Sequence, residues 1–180
     1  MTLNDIIYSA LRQLERGTDA QTVDKYRDVF TDYANTALFE IAEHLKPSYL
    51  AEVILDESGR YDLNNLPRTC YYIESITDTN GSNMTWAEVY TGTIEVTNGA
   101  NKTVRILYRY IPADLSSSTD EPQLPEYMHK AIPYYIVACH KQDTNTETQI
   151  DYFYMFNRQL AKIRNLHVKD PAKNKLLNMW

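Results

Sequence analysis

The chain has 180 residues, 43% of them hydrophobic and 23% charged, a size that suits a single domain burying roughly two thirds of its unfolded surface. No apolar run approaches the ~20 residues of a membrane span. Net charge is −6 but uneven: five bases and one acid from Lys162 onward leave 13 bases against 23 acids, a net −10, over residues 1–161, which excludes tight phosphate-driven nucleic-acid binding.

Thr2, with Asp5 three residues on, reads as an N-cap and a first-turn acid. Leu3, Ile6, Ile7, Ala10, Leu11 and Leu14 then repeat at helical spacing, and Gly17 is expected to end that helix. No basic start or small-residue cleavage site marks this segment as a signal peptide. Asp19 or Thr22 caps a second helix, whose stripe runs from Val23 through Tyr26, Phe30, Ala34, Ala37, Leu38 and Ile41 to Leu45. Pro47 stops it, because proline disfavours helix in the residue before it.

From Tyr49 to Tyr110 the period changes to short runs of β-branched and aromatic residues, such as 69–73, 93–96 and 103–108. Ser58-Gly59, Asn80-Gly81 and Asn98-Gly99 punctuate them as hairpin signals, so five or six antiparallel strands are expected. Such a module is expected to bury its apolar face poorly by itself and to lean on the helices or a neighbouring copy. After a polar connector, Pro125 suits the first residue of a third helix, with Tyr127, Met128, Ala131, Tyr134, Tyr135, Ala138 and Cys139 buried and a kink at Pro133. A turn at 143–146 leads to a fourth helix carrying Ile150, Phe153, Tyr154, Phe156, Asn157, Leu160 and Ile163.

The expected fold is therefore α+β. Residues 1–48 and 112–166 form a four-helix core, 49–111 an inserted antiparallel β-module, and 167–180 an extended tail.

Chemistry is sparse. Cys70 and Cys139 fit a reducing compartment. Cys139-His140 with His129 lacks the paired short spacing of structural zinc, so a buried cysteine beside a surface histidine is expected, and no metal or cofactor. No glycine falls in a phosphate-loop spacing and no serine sits in a nucleophile elbow, so no catalytic residue is expected. Asp24, Asp28 and Asp32, and Asp143, Glu147 and Asp151, recur every four residues. They read first as solvated faces and second as surfaces toward a basic partner or a DNA channel. Leu176, Leu177, Met179 and Trp180 close the chain as an apolar cluster behind Lys169, Lys173 and Lys175. Such a segment either folds back on its own helices or anchors in a partner. Tyr71, Tyr72, Trp86 and Tyr90 are candidates for a contact surface on the β-module, since tyrosine is enriched at interfaces.

Tyr110-Ile111-Pro112 closing the β-module, Leu124-Pro125-Glu126 opening a helix with a Tyr134-Tyr135 seam, and Ala34, Asn35, Ala37 and Leu38 in the second helix resemble the head-to-tail connector adaptors of tailed bacteriophages. That resemblance implies a non-enzymatic virion protein of the neck, assembled in the host cytoplasm as a dodecameric ring. Its partners would be sister copies, the portal protein and a tail or stopper protein. Double-stranded DNA would pass through the bore without specific binding, no membrane would be involved, and the tail residues would grip the portal. The alternatives are a tail-tube terminator or stopper ring and, from another class, a small glycan- or ligand-binding module using the aromatic β-segment.

Overall fold

In the computed structural model, which describes residues 1–141 and 146–168, Thr2 opens the first helix with a reciprocal cap. Its Oγ1 accepts the Asp5 N–H at 3.2 Å, and the Asp5 carboxylate accepts the Thr2 N–H at 2.9 Å. Helix α1 (Leu3–Gln13) buries Leu3, Ile6, Ile7, Ala10 and Leu11. It stops before Gly17: the Arg16 N–H reaches back to the Leu11 carbonyl at 2.9 Å, with Glu15 at φ 54° in the left-handed position glycine usually fills. Asp19 caps α2 (Ala20–Leu45), accepting the Thr22 N–H at 3.0 Å and its hydroxyl at 2.7 Å. Lys46 turns into the left-handed region before Pro47.

The chain then runs through β1 (Ser48–Ile54), β2 (Arg60–Asp62), a 3-10 turn at Leu63–Asn65, β3 (Thr69–Asp78), β4 (Trp86–Tyr90), β5 (Thr93–Val96) and β6 (Thr103–Ile111). It returns to helix as α3 (Glu126–His129), α4 (Ile132–Lys141) and α5 (Thr146–Val168). The fold is α+β, in two compact units: Met1–Leu45 with the chain from Asp114 onward, and Lys46–Ala113.

In the helical unit one buried cluster draws on every helix, with Phe30, Ile41, Met128, Ile132, Ile136 and Phe156 among its members. The connector after β6 closes it. The carbonyls of Asp120 and Ser118 accept the Leu3 and Asn4 N–H groups at 2.8 and 3.1 Å, satisfying donors that a helix start leaves unpaired. Asn35 then clamps the connector's first turn: its Oδ1 accepts the Leu115 N–H at 2.8 Å and its Nδ2 donates to the Leu115 carbonyl at 3.1 Å.

The third helix differs from expectation. Pro125 is its cap rather than its first residue, and instead of bending at Pro133 it breaks between α3 and α4. Pro133 sits in the first turn of α4, where its missing N–H costs nothing. The buried face is Met128, Ile132, Pro133, Ile136, Val137 and Ala138, whereas Tyr127 is exposed and Tyr134, Tyr135 and Cys139 are half-buried. The expected turn residues Asp143, Thr144 and Asn145 lie outside the described residues.

The β-unit is two three-stranded antiparallel sheets, β1-β6-β3 and β2-β5-β4. On β6, Val104, Ile106, Tyr108 and Tyr110 point inward, and one buried cluster joins them to Ile73 and Ile76 of the first sheet and Ile94 and Val96 of the second. The expectation that this module cannot bury its own apolar face is thus corrected, because two sheets supply what one alone would lack. Ser58-Gly59 and Asn98-Gly99 do not close hairpins, since each connects a strand of one sheet to a strand of the other. Gly99 is required by closeness rather than by φ: a Cβ there would lie 2.6 Å from Leu55 Cδ1 and 2.8 Å from the Val96 carbonyl. Asn80-Gly81 does turn the chain back on itself, with Thr77 bridged antiparallel to Asn83, and β4–β5 is a tight hairpin turned at Gly92 (φ 77°).

Candidate interaction surfaces

The outer face of the first sheet is built by alternation. Inward Val104, Ile106, Tyr108 and Tyr110 leave Arg105, Leu107 and Arg109 facing out. Register sets Leu50 of β1 beside Leu107, and Glu52 beside Arg105, whose Nε lies 3.1 Å from the carboxylate. On β3, Tyr72 pairs with Arg109, whose guanidinium lies 5.6 Å from the ring centre, while Arg109 Nε meets Glu74 at 2.8 Å. Exposed ion pairs of this kind contribute at most about 1 kcal/mol each. Their effect is to fix polar side chains in a frame around Leu50 and Ile54, which stay 56% and 70% exposed. The sequence carries no sign of that exposure, because their strand shows only the ordinary alternation of a half-buried sheet.

Two register shifts in β3 explain an oddity of this face. Cys70 pairs with Tyr110 and Tyr72 with Arg109, so Tyr71 is an extra residue in the strand, and Glu74 is another between Ile73 and Ser75. The bulge is why Tyr71 and Tyr72, neighbours that would normally face opposite ways, are 70% and 57% exposed together. The other two expected contact aromatics belong to the second sheet. Trp86 packs against the module's core, and Tyr90 is exposed with the Arg60 guanidinium 5.8 Å from its ring centre. The four therefore divide between two strands of different sheets. At the rim, Arg68 sits with its guanidinium carbon 4.5 Å from the Tyr49 ring and 4.4 Å from the Tyr110 ring, a cation stacked between aromatics.

On the helical unit, Asp24, Asp28 and Asp32 are exposed along α2, with Val29 and Phe39 exposed on the same side. On α5, Phe156, Leu160 and Ile163 are buried, but Ile150, Tyr154 and Met155 face outward, as does Asn157. Ile150, Tyr154 and Asn157 share the helix with the buried stripe but lie off it. Of the second acidic stripe, Glu147 and Asp151 are exposed and Asp143 lies outside the described residues. So do the expected tail contacts Lys169, Lys173, Lys175, Leu176, Leu177, Met179 and Trp180.

The titratable groups are held by packing. His129 is buried, and its Nε2 donates to the Leu124 carbonyl at 2.8 Å, which leaves Nδ1 to accept from the Met1 amino group at 3.4 Å. His140 is not the surface histidine expected: its ring stands edge-on to Tyr26 and Phe30, each 5.5 Å between centres. Burial, then the charges of Lys141 and Arg16, hold its pKa below the usual imidazole value. Cys139 is half-buried rather than buried, and both thiols are pushed up by burial, away from the thiolate a nucleophile or metal ligand needs. Burial first, and the neighbouring Cys139 next, push the Tyr135 hydroxyl up to about 12. Among the described residues no three His, Cys, Asp or Glu side chains are grouped to hold a metal ion, and no helix is long and apolar enough to cross a membrane.

No family model matches the chain, and no curated protein matches it in sequence.

Proposed function

We propose that the chain is a structural neck protein of a tailed bacteriophage, an adaptor that forms a dodecameric ring between portal and tail. In this reading the helical unit is a four-helix scaffold and the β-unit a contact module. The segment 167–180 is the portal grip, and the acidic body is a wall past which DNA slides. The observation that carries the reading is that both units have cores of their own, yet each leaves several large apolar side chains exposed: Leu50, Ile54, Tyr71 and Tyr72 on the β-unit, Phe39, Ile150 and Tyr154 on the helical unit. Large apolar side chains left in water in this way fit contact with other chains. Asn35, in the stretch that resembles the adaptors, also has a physical role, since it joins the second helix to the connector through two hydrogen bonds.

The division of Tyr71, Tyr72, Trp86 and Tyr90 between two sheets weighs against a single glycan-stacking platform. Co-sedimentation with the portal of the same phage tests the adaptor reading. The full chain is expected to pellet with portal, and a chain lacking residues 166–180 to stay in solution with its fold intact. Portal binding that survives the deletion favours a terminator or stopper ring, and a full chain that never pellets with portal refutes the adaptor.

A further inference from the structure

We infer that β1 is the seam of a twofold contact, in which two copies lay their β1 strands side by side and antiparallel; the inference goes beyond the adaptor reading and does not rest on it. β1 is an outer strand of its sheet, with β6 on one side only. Its register is unbroken from Ser48 opposite Arg109 to Ile54 opposite Thr103. The phase of the ladder is fixed at both ends, where the Tyr110 N–H donates to the Pro47 carbonyl at 3.3 Å and the Leu55 N–H to the Lys102 carbonyl at 3.0 Å. Odd-numbered residues therefore turn their peptide groups toward β6, and Ser48, Leu50, Glu52 and Ile54 turn theirs away. All four are exposed, and among the described residues nothing is hydrogen-bonded to their outward N–H and C=O groups.

The other three sheet edges are blunted. β2 is three residues long, β4 has a register shift between Glu88 and Tyr90, and β3 has two such shifts. The far end of β3 is also covered, since the Asp78 N–H donates to the Ser82 carbonyl and the Met84 N–H to the Ile76 carbonyl, each at 2.9 Å. Short strands and bulges keep foreign strands off a sheet edge. β1 has neither, and no Pro or Lys; its single charge, Glu52, is already held by Arg105 at 3.1 Å. A row of outward peptide groups at strand spacing is matched by another strand. Among this chain's own edges only β1 is straight and long enough to be that strand, so the occupant is the β1 of a second copy.

The register follows from the same residues. A twofold axis perpendicular to the sheet makes the pair antiparallel and keeps both outer faces on one side. A parallel pair would turn Leu50 and Ile54 of one copy to the core side of the other. Centring the pair on Ala51 keeps all seven residues matched, with Ser48 opposite Ile54, Leu50 opposite Glu52 and Ala51 opposite its own copy. Leu50 then has Leu50 and Ile54 of the other strand as diagonal neighbours. Centring on Glu52 would set two carboxylates directly opposite each other, and centring on Leu50 would match only 48–52, because the chain turns left-handed at Lys46. In the chosen register the two Glu52 side chains are diagonal neighbours, each keeping its Arg105. The contact is isologous and closes at two copies, unlike the heterologous contacts of a ring.

The test combines sedimentation velocity of the full chain over a wide concentration range with disulfide trapping. Leu50→Pro removes only an outward N–H from β1, a place where an edge strand accepts proline, and is expected to weaken dimerisation roughly tenfold or more with the fold intact by circular dichroism. Ala51→Cys sits at a non-hydrogen-bonded pair on the axis, where Cα atoms about 4.5 Å apart suit a disulfide. Mild oxidation is expected to link two copies through position 51, identified by mass spectrometry of the linked peptide. Val53→Cys is the control, because the two copies of position 53 stand about 14 Å apart along the seam and should link far more slowly. A wild-type chain that is monomeric at every concentration overturns the pairing. So do association untouched by Leu50→Pro, and linkage that is equal at positions 51 and 53 or missing at 51.

Discussion

The two units reach the same end by opposite routes. The β-unit builds its core from one continuous stretch, Lys46–Ala113, by folding two small sheets whose inward rows share a cluster. The helical unit draws on segments on either side of that stretch and is joined by the connector, through Asn35 and the carbonyls of Ser118 and Asp120. Their surfaces differ as well. On the outer sheet face the charges are already paired, Arg105 with Glu52 and Arg109 with Glu74, whereas on α2 and α5 Asp28, Asp32, Arg158 and Lys162 have no ion-pair partners among the described residues. A face with its charges satisfied offers a neighbour mainly apolar area; a face with unsatisfied charges also selects its partner's orientation.

The sharpest way to break this comparison is in the cores. Phe30→Ala removes a fully buried ring stacked on Tyr26 and is expected to cost about 3–5 kcal/mol, measured by urea unfolding. A loss below about 1 kcal/mol would mean that the helical core is not packed as described. Asn35→Ala tests the connector: it leaves the Leu115 N–H and carbonyl without their partner and should cost about 1–3 kcal/mol. A neutral result would show the clamp to be incidental.

Acid sharpens the same contrast. Asp5, Asp19 and Asp120 are all in the helical unit, and hydrogen bonds accepted from Thr2, Thr22 and Ser116 hold each below the ordinary value of 3.8. A depressed carboxylate binds protons less readily when folded, so its stabilising contribution is complete above 3.8 and is lost as pH falls through the lowered value. His140 acts in the same direction at milder pH. Held neutral by burial, it stabilises fully above 6.5, and less as pH falls toward its lowered value and the unfolded chain takes up the proton. His140→Gln is therefore expected to flatten the stability profile just below pH 6.5, read by denaturant titrations at several pH values. An unchanged profile would contradict the packing of that ring. The smallest effect on stability belongs to Leu50→Ser on the outer sheet face, about 0.5 kcal/mol or less. If that face is a contact, self-association should still fall several-fold.

Much of this was legible in the residues, for physical reasons. The stripe of α1 is buried as spaced, and that of α2 nearly so, because a charged opposite face leaves only one way to turn each helix. The stretch 126–141 was not legible. Ile132, Pro133, Tyr134, Tyr135, Ile136 and Val137 are apolar all round, so periodicity cannot choose a face. Asn-Gly and Ser-Gly report local turns correctly but say nothing of which sheet receives the next strand, a matter of long-range pairing. The exposure of Tyr71 beside Tyr72 depends on a bulge that a period of two cannot reveal. Of the candidate contacts, Tyr71, Tyr72 and Tyr90 are exposed and Trp86 packs, half-buried, against the core. Nothing in the sequence marks Phe39, Leu50 and Ile54 as surface residues, because single apolar side chains on a polar face carry no pattern.

Negative-stain imaging of the full chain mixed with portal particles from its phage tests the central claim most directly. The account predicts an added annulus of density on one end of the portal, of uniform diameter and absent from portal alone. Portal particles identical with and without the chain, beside a chain that never forms rings, would contradict it.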